Sequence, residues 1–296
     1  LNDSTNGLVV ATHGRHCVVR TEDGARRLCT MRGRRASAAC GDMVRLQPLA
    51  AGQGVIEEVA PRRNVMMRSD GVRTKTLAAN LDQVAIVLAT QPTFSEDLLG
   101  RALVAAEVLE LAPLVILNKV DLADSVGAAR TRLAPYRELG YRVIELSLRS
   151  DPLHAEALLR PLLAGQTTLL LGQSGMGKSS LLNRLVPGVD AATREFSESL
   201  GTGRHTTTDA RLYELPEGAG RLIDTPGFHE FGLAYLTPGQ IERAFPDLRA
   251  LLGRCRFTNC THLAEPGCAV REAVAAGTLS AQRYGLFERL TRAAAT

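Results

Sequence analysis

Lysine is nearly missing from this chain: of 35 basic residues only those at positions 75, 119 and 178 are lysines, and the rest are arginines. A compact ammonium and a forked guanidinium are not interchangeable in a tight site, so two of the three, at 119 and 178, are read as chemically constrained positions. Tryptophan is absent and residues 1–63 contain no aromatic side chain, which argues against a stacking platform for single-stranded bases in that segment. No apolar run approaches the roughly 20 residues of a membrane helix. The longest candidates are Val84 to Ala89 and Leu111 to Leu117, so no membrane partner is expected. The text opens LNDSTNG without an initiator Met, a basic n-region or an apolar h-region. A trimmed start, no secretory signal and a cytoplasmic location are therefore expected.

What remains is ordinary globular composition, 45% apolar and 22% charged over 296 residues, long enough for two or three domains. The net charge of +4 is concentrated at the start. Residues 1–63 hold ten Arg against six acids, and the remainder balances at 25 against 25. Within that basic segment Arg26, Arg27, Arg32, Arg34 and Arg35 occur without an intervening acid, which suits a phosphate-rich partner such as RNA; a solvated arginine face is the alternative. From Gly7 to about Pro61, short alternating segments (GLVVAT, HCVVRT, RRLCTM, DMVRLQ, GVIEEV) are separated by turn signals, predicting a small five-stranded, OB-like barrel.

From about residue 80 the pattern becomes strand and helix in alternation: QVAIVLAT, a helix through LLGRALVAAEVLE, APLVILNK, a helix near 128–139, YRVIELS and QTTLLLGQSG. Continuous Val, Ile and Leu strands spaced by helices predict a parallel sheet covered on both faces. A hairpin, RLYEL, PEGAG, RLID, follows, and past Pro238 the text is helical and rich in cysteine.

Gly172, Gln173, Ser174, Gly175, Met176, Gly177, Lys178 and Ser179, with Ser180 behind them, fit G-x-x-x-x-G-K-[ST] between an apolar strand and a helix. The glycines let backbone N–H groups curl around phosphates, Lys178 reaches the β and γ phosphates, and Ser179 offers its hydroxyl to Mg²⁺. Asp224-Thr-Pro-Gly227 ends the strand RLID. It puts a carboxylate where it can act through water on Mg²⁺ and Gly227 where its N–H would meet a γ-phosphate. Asn118, Lys119, Val120 and Asp121 end the strand PLVIL at the same sheet edge. Asn118 is expected to bond the base edge, Lys119 to lie along the ring, and a buried Asp121 to accept guanine's N1–H and amino group, donors that adenine lacks. Ser147, ending the next strand, is a further candidate near the guanine carbonyl.

Four N/S ligands, Cys255, Cys260, His262 and Cys268, lie within CRFTNCTHLAEPGC. They predict a closed tetrahedral Zn²⁺ site, structural and not catalytic because no position is left for water. Buried free thiols are the alternative.

The base-reading NKVD precedes the P-loop, the reverse of the usual order, so the strands are circularly permuted. With a barrel in front, GRHTTT at 203–208 and the cysteine cluster behind, the chain resembles the RsgA (YjeQ) family of circularly permuted GTPases that act on the small ribosomal subunit. The resemblance implies an α/β P-loop GTPase domain, circularly permuted, with an N-terminal OB-like β-barrel and a C-terminal helical zinc-binding domain. The expected boundaries are 1–65 for an RNA-binding barrel, 70–235 for the GTPase domain and 236–296 for the zinc unit. It also implies GTP hydrolysis to GDP in late small-subunit assembly, with the subunit and its rRNA as partners and the factor released on hydrolysis; a monomer is expected. Between P-loop and hairpin a switch segment should give a Thr to Mg²⁺; the spacing from Asp209 selects Thr207, with Thr206 and Thr208 open. Phe228 stands where many GTPases carry a water-orienting Gln. His205 is the candidate replacement, so His205, Lys178 and Thr207 form the expected catalytic set. Two rival readings, a P-loop ATPase or kinase and an RNA-binding protein with a degenerate nucleotide fold, are opposed by Asp121 and by intact Lys178, Ser179 and Asp224 respectively.

Overall fold

The computed structural model describes residues 4–33, 37–69, 74–189, 210–225 and 231–294. Five strands, β1 (Thr5–His13), β2 (His16–Thr21), β3 (Arg26–Met31), β4 (Met43–Pro48) and β5 (Gln53–Val59), run in the order β1-β2-β3-β5-β4, and pairing of β1 with β4 closes the ring. The pairs are antiparallel except β3 with β5, and a barrel of this kind leaves no open edge. Alternation supplies its interior: Val9, Cys17, Val19, Cys29, Val44, Leu46 and Ile56 form one apolar cluster. Burial pushes the Cys17 thiol up to about 12 and Cys29 up to about 11, so both pack as small neutral core residues. At the base of the barrel, fully buried Asp42 receives Arg62 through paired hydrogen bonds of 2.7 Å.

A hairpin that the sequence reading did not anticipate follows, β6 (Val65–Ser69) and β7 (Thr74–Ala79). Ser69 exchanges backbone hydrogen bonds with Gly232 (2.8 and 3.1 Å), and the Tyr235 hydroxyl donates to the Met67 carbonyl at 3.0 Å, so this hairpin is sewn to the segment that leads toward the C-terminal helices.

The α/β layer contains β8 (Gln83–Ala89), β9 (Ala112–Asn118), β10 (Arg142–Glu145), β11 (Thr167–Leu171), β12 (Ala210–Glu214) and β13 (Arg221–Asp224), ordered β10-β9-β8-β11-β13-β12. All neighbours are parallel except the β12–β13 hairpin. Strands β8 and β11 are buried at every position, the signature of a sheet covered on both faces. Helices α1 (Glu96–Val108), α2 (Ala123–Glu138), α3 (Pro152–Leu163) and α4 (Lys178–Leu185) supply the crossovers. Barrel and sheet are continuous: the first half of β1 pairs with β4, whereas Ala11 and Thr12, beyond a bulge, pair with Arg211 and Ala210 of β12. The C-terminal unit has α5 (Pro238–Arg243), α6 (Pro246–Arg249), α7 (Ala269–Ala275) and α8 (Ala281–Ala294), with Phe245 and Phe287 packed edge to face at 5.6 Å. Among the described residues no helix is long and apolar enough to cross a membrane.

Candidate functional site

Strand order decides what meets at the carboxyl edge of the sheet. Strands β10, β9, β8 and β11 are successive neighbours there, so the loops after them converge although their sequence positions lie far apart. They surround a cavity of about 840 Å³ whose lining includes Asn118, Lys119, Asp121, Gly175, Lys178 and Ser179.

The phosphate loop is shaped by close backbone approach. At Gly172 (φ 152°) a Cβ would sit 2.3 Å from the Val87 carbonyl oxygen, and at Gly177 (φ 105°) one would sit 2.2 Å from Asn118 Nδ2. Only glycine meets both requirements. Gly177 then caps α4, which starts at Lys178 and turns its N–H groups toward the cavity. The Lys178 ammonium donates to the Gly172 carbonyl and, at 3.2 Å, to that of Gln173. Burial lowers its pKa, opposed by the Asp224 charge. Asp224 shows the counterpart: burial raises its carboxyl pKa, with Lys178 and Arg211 pulling it down. One carboxylate oxygen of Asp224 is buried without a hydrogen-bond partner. A buried orphan of this kind at a phosphate site fits a hydrated divalent cation.

Asn118 lines the cavity and also braces it from within. It is only 3% exposed. Its Nδ2 donates to the Met176 carbonyl at 3.0 Å and its Oδ1 accepts from Leu148 N at 3.1 Å, so the amide braces the phosphate loop against the loop after β10. Lys119, at φ 63°, stretches over the cavity and donates to the carbonyls of Gln91 (2.7 Å) and Gly175 (2.8 Å), which lays its stem along the wall where a base would stack. Asp121 is exposed at the cavity rim. The expectation of a buried Asp121 is corrected: the loop before α2 opens into the cavity, and only a bound base would cover the carboxylate. Ser147 is buried and its Oγ accepts from Ser150 N at 3.0 Å. It shapes the turn, while Leu148 and Arg149 line the cavity.

Sequence reasoning missed Gln91, Pro92, Leu122, Leu148 and Arg149 of the lining. The signal for the first two was available in principle: β8 lies between the strands carrying the base and phosphate motifs, so the loop after it must face the same space. His205, Thr207 and Gly227, with Phe228, lie outside the described residues.

The second constellation is local. Cys255 Sγ and Cys268 Sγ each lie 3.4 Å from His262 Nδ1 and 3.9 Å from one another. The four ligand atoms of Cys255, Cys260, His262 and Cys268 fall within 4.8 Å of one another. A tetrahedral ion at ~2.3 Å from sulfur and ~2.0 Å from nitrogen sets such atoms roughly 3.5–3.8 Å apart, so this cluster could hold a metal ion. The other ring nitrogen, Nε2, lies 3.1 Å from a Glu242 oxygen, and Tyr284 donates to the His262 carbonyl at 2.8 Å. With Nδ1 turned to the thiols, the carboxylate fixes the tautomer and the ring orientation. Glu265 pins the turn between the ligands, accepting from the backbone N–H of Thr261 (2.8 Å), Ala264 (3.1 Å) and Leu263 (3.2 Å).

A family model described as RsgA GTPase matches residues 59–234. The chain is 56% identical over 293 residues to the small ribosomal subunit biogenesis GTPase RsgA of Paraburkholderia phymatum, with 99% of this chain and 92% of that protein covered. It is 56% identical, with 99% and 93% covered, to the protein of the same name from Burkholderia pseudomallei. Among solved structures it is similar to YjeQ from Thermotoga maritima, with a TM-score of 0.74 at 30% identity over 99% of both chains. It is also similar to YloQ, a circularly permuted GTPase, with a TM-score of 0.69 at 27% identity over 99% of this chain and 96% of that one. With a family model over more than half of its length and relatives 56% identical across nearly all of it, the chain belongs to the RsgA GTPase family.

Proposed function

We propose that the chain hydrolyses GTP to GDP and phosphate while bound to the small ribosomal subunit, acts in late maturation of that subunit, and leaves it on hydrolysis. The observation that carries the nucleotide reading is the pair of hydrogen bonds made by the Asn118 amide, which draws the phosphate loop (Met176) and the loop after β10 (Leu148) into one cavity with Lys119 along its wall. In that cavity Lys178 and the loop N–H groups bind the phosphates, Asp121 takes the two guanine donors, and Leu148 and Lys119 flank the base. Ser179, Thr207 and, through water, Asp224 would hold Mg²⁺, which supplies charge neutralisation at the β and γ phosphates. Gly227 meets the γ-phosphate, and His205 aligns water in place of the Gln that Phe228 replaces. Cys255, Cys260, His262 and Cys268 would hold one structural Zn²⁺.

The division of labour follows the fold. Residues 1–65 form the basic barrel that meets rRNA, 70–235 the GTPase domain, and 236–296 the zinc unit, in a monomeric protein working in the cytoplasm where subunits are assembled. The presence of curated relatives named for small-subunit biogenesis supports the partner, as does the arginine excess of residues 1–63. The test is single-turnover GTP hydrolysis with and without purified small subunits. Stimulation by the subunit, abolished in Lys178→Ala, is expected. Equal rates in the two conditions would remove the subunit from the reaction.

A further inference from the structure

The phosphate loop is held on two sides by different parts of the molecule. On the sheet side Gly172 rests against Val87. On the other side the side-chain oxygen of Gln173 accepts a hydrogen bond from the backbone N–H of Ser95 at 2.8 Å. Gln173 is therefore held by its side chain while its main-chain carbonyl holds Lys178. Ser95 is the N-cap of α1, its hydroxyl accepting from Leu98 N at 3.3 Å.

Helix α1 is gripped in turn by the C-terminal unit. Asp97, in its first turn, pairs with Arg289 of α8 at 2.6 Å, and Glu107, in its last, pairs with Arg249 at the end of α6. Between these pairs the absence of a side chain at Gly100 admits Leu286 of α8, which would stand 2.3 Å from a Cβ there. One helix of 13 residues thus carries the phosphate-loop anchor at its start and the docking face for the C-terminal unit along its length.

We infer that Gln173 is a positioning residue through which the docked C-terminal unit, acting along α1, sets the phosphate loop in its nucleotide-binding shape. The inference rests on the reading that this loop binds GTP. A loop already shaped has less ordering to lose when phosphates arrive, so affinity rises. Linkage then requires the reverse effect: nucleotide in the loop strengthens the seating of α8 on α1.

The test uses the intact chain and fluorescently labelled GDP with Mg²⁺. Ser95→Pro removes the N–H donor at a φ of −83° that proline tolerates, whereas Ser95→Ala loses only the cap and keeps the donor. Arg249→Ala with Arg289→Ala cuts the far grip without touching the cavity. Ser95→Pro and the arginine pair should each weaken GDP binding about fivefold or more, and Ser95→Ala should stay near the parent. All three substitutions together should be no weaker than the worse of the two arms, because both interrupt one chain of contacts. In the unsubstituted chain, saturating GDP should slow hydrogen exchange in α8. Multiplying losses, equal damage from Ser95→Ala and Ser95→Pro, or unchanged exchange in α8 would overturn the inference while leaving GTP binding in place. Failure of the parent chain to bind GDP would overturn the nucleotide reading and this inference with it.

Discussion

The groups lining the nucleotide cavity come from positions as far apart as Gln91 and Ser180, while the four residues that could hold a metal ion lie within the fourteen residues from Cys255 to Cys268. The cavity groups depend on the order of strands in a sheet and not on their order in the chain. Cutting the domain between the DTPG strand and β8 therefore leaves the site intact, and the NKVD loop can precede the P-loop. The four cluster residues lie on none of the strands among the described residues. They hang from a turn after α6 and from the start of α7, and their geometry rests on Glu242, Glu265 and Tyr284. A site built by topology should survive the loss of its ligand, whereas a site built by a local turn should not.

Removing the metal is the strongest way to test that contrast. Structural Zn²⁺ in finger peptides contributes apparent free energies of ~10–16 kcal/mol, far more than a unit of short helices can replace. Chelation should unfold the region after Pro238 and leave the β8–β13 sheet folded, read by hydrogen exchange across the two regions with metal analysis in parallel. Equal loss of protection in both would show that the sheet also depends on the cluster.

Next in size is Asp247→Ala. Arg283 is 5% exposed and fully paired to Asp247, with its guanidinium also set over Phe245 at 5.1 Å. Removing the carboxylate leaves a buried charge alone, at a cost of about 3–5 kcal/mol. Urea unfolding should place that loss in the C-terminal unit, and nucleotide affinity should fall only as far as α1 feels it. A loss under ~1 kcal/mol would mean that water reaches the guanidinium.

A change inside the cavity should instead alter chemistry and spare the fold. Asp121→Asn exchanges an acceptor pair for an amide, so preference should move from guanosine to xanthosine nucleotides. Hydrogen bonds to a charged acceptor contribute about 1.5–3 kcal/mol, hence GTP should bind at least tenfold more weakly with an unchanged melting temperature. Competition between the two nucleotides is the measurement, and an unaltered preference for GTP would take Asp121 out of base recognition.

These two kinds of site were legible in the sequence to different depths. The P-loop and NKVD were readable because glycine and a rare lysine are chemically obligatory where a backbone must bend around phosphates. The cysteine cluster was readable because thiolates crowd there beside a histidine. The barrel followed from alternation in five segments. Gln91 and Arg149 were hidden because ordinary residues in ordinary loops acquire their place only through strand order. The bracing role of Asn118 was hidden because its two partners, Met176 and Leu148, are 58 and 30 residues away. The β6–β7 hairpin carries mixed polarity, since part of its burial comes from the segment around Gly232 and Tyr235, which no local pattern announces. The exposure of Asp121 was likewise outside the reach of sequence, because burial of a rim carboxylate depends on what fills the cavity.

The smallest expected effect probes how the local site keeps its shape. Glu242 lies on α5, outside the ligand turn, and faces His262 Nε2 at 3.1 Å. Glu242→Gln retains an acceptor at that position and removes the negative charge that makes the imidazole a better ligand. Outer carboxylates of this kind typically contribute 10–100-fold in metal affinity, and keeping the hydrogen bond places the expected loss near the lower end, about tenfold or ~1.4 kcal/mol. The helix should remain folded, because its capping box at Thr237 and Gln240 is untouched. Competition with a chromophoric chelator reads the affinity directly, and the same samples give GDP affinity, which should not change while the metal is saturating. If Glu242→Gln held its metal as tightly as the parent while Glu242→Ala lost it, orientation by the hydrogen bond would be the whole contribution. If both held it equally, the ligand turn with Glu265 would be sufficient by itself, and the locality of this site would be stricter than the contrast with the nucleotide cavity supposes.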